Sequence, residues 1–452
     1  MSRQGRPPPS EDARRDAGNR APSRARSAAH DWGDALVAVL AAVAAMAVTA
    51  ALGLWAAGAA DLPDGAFPQV VAAVVVMAAG GAIELSGGAG EIAGADADVT
   101  AMPLSVSLAG ALALGVCFLR PLRHRAVASA GELLARVART TLLWLAALAA
   151  LTTLARRTFT LTPTDPAFDL IGELLDLSTT VGFRGDPGPT LLFGLLWITG
   201  VLTMALLVSR RAPLPARLLR YQEAVRPAAF AMLLLLLAYV VAGVVIGVVV
   251  AATRGHPAET LAVLLLGLPN VVWLALGLGI GGSWEGRVDG PFGLPMPNLL
   301  DLVLRGSQDS TLDVGALAEH DARAWWLVPV AGALLLAAAF AMAVRTPART
   351  RLWQHAVHMG VAFALTMLVV APVTRVSARY GLSLLGIGDI EGFGGQLVLR
   401  PHVWTAAGLA LLWGLVAGLI GGLLASPVRR RGEITADAAD ADDDTGREAP
   451  RS

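Results

Sequence analysis

Ten stretches of the chain are apolar and bounded by charge, each roughly 17 to 25 residues long, the length a helix needs to cross a bilayer core. They centre on residues 35–58, 67–85, 101–119, 139–155, 190–208, 228–251, 260–282, 325–344, 355–373 and 402–424. Composition agrees: 55% of the 452 residues are hydrophobic, 15% are charged, and the mean hydropathy is +0.61. A soluble chain would not need that balance to fill one core. The expected fold is therefore an all-α, polytopic transmembrane helix bundle in the cell membrane. Its first partner is the lipid bilayer, and no nucleic-acid partner is expected.

The formal net charge is zero, but the basic residues are unevenly placed. All of them are arginine, as GC-rich actinobacterial coding would produce. Five arginine-rich segments flank apolar runs: the N-terminal tail, residues 120–139, 210–226 and 345–351, and the triplet at 429–431. Short basic flanks stay in the cytoplasm, so an even number of crossings must separate any two of them. Runs four and five comply, as do runs nine and ten. The other two intervals each hold three runs, so one run in each must fail to cross.

In the second triplet that run is 260–282, where Pro269 removes a backbone donor and Asn270 is a poor residue to face lipid. In the first it is 67–85, where Gly80 and Gly81 weaken the helix and Glu84 follows within a turn. Both are expected to be broken or re-entrant and buried between other helices, because exposed irregular backbone is not tolerated in lipid. Eight crossings then remain, with both termini cytoplasmic.

That topology divides the chain into an Arg-rich disordered tail (1–34), a first membrane half (35–226), a second (227–428) and an acidic disordered tail (429–452). Each half repeats one order: a crossing, a broken segment, an acidic external loop, a crossing into a basic turn, then a hairpin pair. Such parallel repeats often carry a transport site at their interface. GxxxG spacings at Gly243/Gly247, Gly277/Gly281 and Gly414/Gly418 allow close helix approach.

Several stretches together resemble the streptophobe family, long hydrophobic proteins of Streptomyces and related actinobacteria. They include MPLSVSLAGALALG (102–115), ELLARVAR (132–139), VGFRGDPGPTLL (181–192), SRRAPLP (209–215), HPAETLAVLLLGLPNVVW (256–273), LAEHDARAWWL (317–327) and VSARYGLSLLGIGDIEGFGGQL (376–397). The resemblance implies an integral membrane protein and supplies no catalytic residues.

Chemical motifs are sparse. GLGIGG (277–282) fits GxGxxG but lacks the strand and helix of a phosphate site, and there is no Walker A, HExxH or GxSG motif. GIGD (386–389) lacks a second carboxylate at membrane depth. His355 and His358 share a helical face without a completing ligand, so no metal and no cofactor are expected, and the pair reads as an interfacial belt beside Trp353. Cys117 reads as a small buried hydrophobe.

No catalytic residue is assigned. Glu84 lies either at membrane depth or at the surface; with Asn270 and Trp273 it forms the candidate substrate-binding set, and Gly80, Gly81 and Pro269 are the candidate breaks or hinges. The expected function is permease-like transport of a small or amphipathic molecule. The alternative is a non-transporting scaffold whose acidic external loops bind an envelope protein partner.

Overall fold

A computed structural model describes residues 11–61, 65–89, 93–121, 130–161, 179–209, 219–253, 255–289, 310–347, 350–384 and 395–427. In the first part of the chain, α1 (Glu11–Ala56) leads to the short α2 (Phe67–Ala78), strands β1 (Ile83–Ala89) and β2 (Ala93–Ala101), and α3 (Leu104–Leu119). Then come α4 (Ala130–Leu154), β3 (Arg156–Leu161), β4 (Thr179–Gly185) and α5 (Pro187–Val208). The second part runs α6 (Leu219–Thr253), α7 (Pro257–Gly279), β5 (Trp284–Asp289), β6 (Ser310–Leu312), the short α8 (Val314–His320) and α9 (Leu327–Arg345). It closes with α10 (Leu352–Val373), β7 (Val376–Leu384), β8 (Gly395–Pro401) and α11 (Val403–Leu424).

The expected helix bundle is present. Eight helices are long and apolar enough to cross a membrane, and two apolar helices, Phe67–Ala78 and Leu104–Leu119, are shorter. Helix α1 begins at Glu11, inside the stretch expected to be disordered, because the Ala/Arg-rich segment is continuous with the apolar span and composed of good helix formers. The segments 126–138 and 214–226 have the amphipathic pattern of short interfacial helices, but their described parts, 130–138 and 219–226, are the first turns of α4 and α6. The acidic tail lies outside the described residues.

The sequence reading placed loops where the protein builds a sheet. Four hairpins join into one eight-stranded antiparallel sheet in the order β3-β4-β1-β2-β7-β8-β5-β6. Each hairpin is inserted between two apolar helices, so the C-termini of α2, α4, α7 and α10 all lie on the sheet side of the bundle. Alternation is two-faced: Ile83, Trp284, Leu312 and Leu399 are buried, whereas the neighbouring positions Glu285, Thr311 and Arg400 are exposed.

The shared sheet fixes where the broken segments enter and leave. The start of the apolar span of α1, at His30, lies beside the first third of α4, far from the sheet, through Arg139–Asp31 at 3.2 Å and Arg136–Asp34 at 4.0 Å. The start of the apolar span of α6, at Val225, lies near the end of α9, with the Arg345 guanidinium over the Phe230 ring at 3.4 Å. The apolar part of α6, Val225–Thr253, spans about 43 Å at 1.5 Å per residue and reaches the sheet side, so α7 starts there. Helix α7 runs antiparallel to α6, with Leu264 against Gly247, Leu268 against Gly243, and Trp273 bonded to Leu236. It therefore descends from the sheet side and returns to it as β5. Helix α2, about 18 Å long, does the same after α1.

Both returns use one device. Gly81 N–H donates to Val76 O (3.0 Å) and Gly80 N–H to Met77 O (2.9 Å), with Gly80 at φ 92°. In α7, Gly282 donates to Gly277 O (2.9 Å) and Gly281 to Leu278 O (2.8 Å), with Gly281 at φ 89°. This is the Schellman closure, which needs a left-handed residue and so favours glycine. The expected break at Pro269 is corrected: α7 is continuous through it, and the chain reverses at Gly281–Gly282.

Candidate functional site

Proline at 269 removes an N–H from α7 and crowds the preceding turn. The neighbouring α3 supplies the repair. Ser105 Oγ donates to Leu264 O (2.8 Å) and accepts from Leu268 N (3.1 Å), inserting itself into the rung that would join those two groups. One residue past the proline, Asn270 returns the favour to α3. Its Oδ1 accepts from Leu104 N (3.1 Å) and its Nδ2 donates to Met102 O (2.9 Å). The N-cap of α3 is Pro103, which has no capping side chain, so Asn270 acts as a cap delivered from another helix. These four bonds form a reciprocal lock between the first and second parts of the chain.

Trp273, one turn further along, donates from Nε1 to Leu236 O (3.2 Å), tying α7 to α6. Asn270 and Trp273 are thus close in space, but each directs its polar atoms to backbone. Glu84 is not with them. It lies in β1, in register with Asp98 of β2 and Arg184 of β4, outside the helical bundle. Gly80 and Gly81 form the α2 turn, where Gly80 faces Phe193 of α5. His355 is fully buried where α10 packs on α11, rather than interfacial, and His358 is half-buried. Among the described residues no cluster of three metal-ligating side chains occurs.

Two features lacked a sequence signal. The first is a hydrogen-bonded chain at the base of the sheet: Ser283 Oγ to His402 Nδ1 (3.3 Å) and His402 Nε2 to Glu285 Oε1 (2.9 Å). A serine, an imidazole and a carboxylate in line are the elements of general-base activation. Here, however, Ser283 follows the C-terminal end of α7, where carbonyl dipoles would oppose an oxyanion. The chain instead joins β5 to β8 and α11, helped by His402 N–H to Ser283 O (3.1 Å). With 119 residues between Ser283 and His402, no local pattern could have announced it.

The second is a groove of about 620 Å³ between α3, α5 and the start of α6. Leu112, Gly115 and Leu119 form one wall, Val201 and Ala205 the other, and Leu233 closes one side. It lies within the apolar helices and opens outward, with Val116 60% exposed. Ser209 is part of its lining, and the exposed Arg120 directly follows the lining residue Leu119 in sequence. In the second part of the chain, α9 and α11 pack at backbone contact, with Gly421 against Ala339. No family model, curated protein or solved structure matches the chain.

Proposed function

We propose that this integral membrane protein is permease-like and takes an amphipathic molecule from the bilayer, with its acyl chain in the α3–α5 groove and an anionic head beside Arg120 and Ser209. The observation that carries this reading is the groove itself: apolar-lined, set among the apolar helices, and lined at one point by Leu119, next to the exposed Arg120 in sequence. A polar solute would find nothing there to replace its hydration. In this reading the Ser105–Asn270 lock and Trp273 position α3 and α7 and leave the groove to hold the molecule. Positive-inside placement puts the Arg-rich end and both termini in the cytoplasm of the cell membrane. On the stretches quoted above, we also propose membership of the streptophobe family.

The test is photolabelling in proteoliposomes with a diazirine-bearing anionic phospholipid. Labelled peptides should map to α3 and α5, Gly115→Phe should reduce labelling at least fivefold, and Arg120→Gln should remove the preference over a zwitterionic lipid. Labelling spread over all helices, or unchanged by Gly115→Phe, overturns the reading. A second reading, a non-transporting scaffold that binds an envelope partner through the sheet, is favoured by the use of Asn270 and Trp273 on backbone groups. It predicts no groove labelling.

A further inference from the structure

The strand register contains a repeat that the helices alone do not reveal. Ile83 and Glu84 of β1 face Gly185 and Arg184 of β4; Trp284 and Glu285 of β5 face Pro401 and Arg400 of β8. Each Glu follows a Gly-Gly turn of identical bonding, in GGAIE and GGSWE. Arg156 opposite Arg184 begins β3, and Arg375, next in line opposite Arg400, precedes β7. The same sequence separation carries Trp144, Leu148 and Ala155 onto Phe363, Met367 and Thr374, and all six are buried. Trp197 and Trp413 correspond likewise, on α5 and α11. Within each half the strand order is the same: β3-β4-β1-β2, then β7-β8-β5-β6.

In that correspondence β2 is equivalent to β6, and β7 to β3. Strand β2 pairs with β7 and so joins the two halves, whereas β6 and β3 are the outer strands, each paired on one side among the described residues. The register also climbs. The row that starts at Arg156 passes through Arg184, Glu84 and Asp98 to Arg379, four positions beyond Arg375. Two halves therefore accumulate a stagger of eight over eight strands, a combination that closes a barrel with strands tilted by about 36°.

Burial supplies a separate reason. The buried residues Ile83, Trp284, Leu312 and Leu399 alternate with exposed ones, and register places the apolar residues at 85, 99, 159, 382 and 397 at the same alternate positions as these, while the helices meet the sheet at its base, where Trp284, Leu312 and Leu399 pack with Leu278 and Val314. A sheet apolar on one face must cover it, and curling on itself does so. Curling also removes two unpaired edges.

We propose that β6 pairs with β3, closing the eight strands into a barrel over the bundle, with Ser310 opposite Leu161, Thr311 opposite Thr160 and Leu312 opposite Phe159. The proposal does not depend on the lipid groove. The test uses full-length protein in membranes with Cys117 replaced by alanine. Thr160→Cys with Thr311→Cys should form an intramolecular disulfide to within twofold of the Thr100→Cys/Ser377→Cys pair, which spans the existing β2–β7 contact. Control cross-linking without the β3–β6 disulfide, or a disulfide found only in dimers, overturns it. In the unmutated protein, hydrogen exchange should protect β3 and β6 as strongly as β2 and β7. Exchange at loop rates in both outer strands also overturns it.

Discussion

Two polar side chains, Ser105 and Asn270, decide how a proline can sit inside a buried helix. Each satisfies backbone on the other's helix, so removing one leaves part-buried backbone groups without that partner. Asn270→Ala should destabilise the protein by about 1–3 kcal/mol and Ser105→Ala by about 1–2 kcal/mol, measured by unfolding in detergent. The double variant should cost less than the sum, because both hold one junction. Additive losses would show that the two contacts act separately. Asn270 was singled out by its polarity in an apolar run. Ser105 was not, because a serine in a membrane helix commonly bonds its own backbone, as Thr140, Thr152 and Thr366 do here.

Helix packing in the second half rests on glycines at backbone contact. A Cβ at Gly414 would lie 2.7 Å from Gly360 Cα and 2.9 Å from Met359 O, whereas one at Gly408, on the same helix, meets nothing within 4 Å. Gly414→Ala should therefore cost about 1–3 kcal/mol by prising α10 from α11. Gly408→Ala should be neutral or gain up to about 1 kcal/mol in helix propensity. Thermal unfolding of the pair checks the contrast, and equal shifts would mean that the contact is looser than it stands here. The GxxxG spacing at 414/418 pointed to this packing, and the same signal at 243/247 marks where α6 meets α7. What spacing could not supply was the partner helix, since every apolar helix in a bilayer offers a similar surface.

At the scale of the molecule, arginine placement and the shared sheet lead to the same parity by independent routes. All four hairpins join one sheet, so the C-termini of α2 and α7 lie with those of α4 and α10, while the contacts Asp31–Arg139 and Phe230–Arg345, on helix segments next to the Arg-rich stretches, lie away from it. With Cys117 replaced by alanine, a cysteine at Thr311 should react with an impermeant maleimide in intact cells. A cysteine at Arg123 should react only after permeabilisation. The opposite pattern would invert the orientation while leaving the re-entrant topology intact.

The ten apolar segments and Gly80–Gly81 as a stopping point follow from composition and local backbone preference, which act within a few residues. The sheet did not follow from them. Its strands are short, several are rich in Ala and Gly, and their pairing joins residues as distant as Val99 and Ala378. Pro269 shows the same division: its local chemistry argues for a break, and only the approach of Ser105 from 163 residues away lets the helix continue. Hydropathy and charge report what solvent each segment prefers. Which segments complete one another's hydrogen bonds is settled only when the chain is assembled.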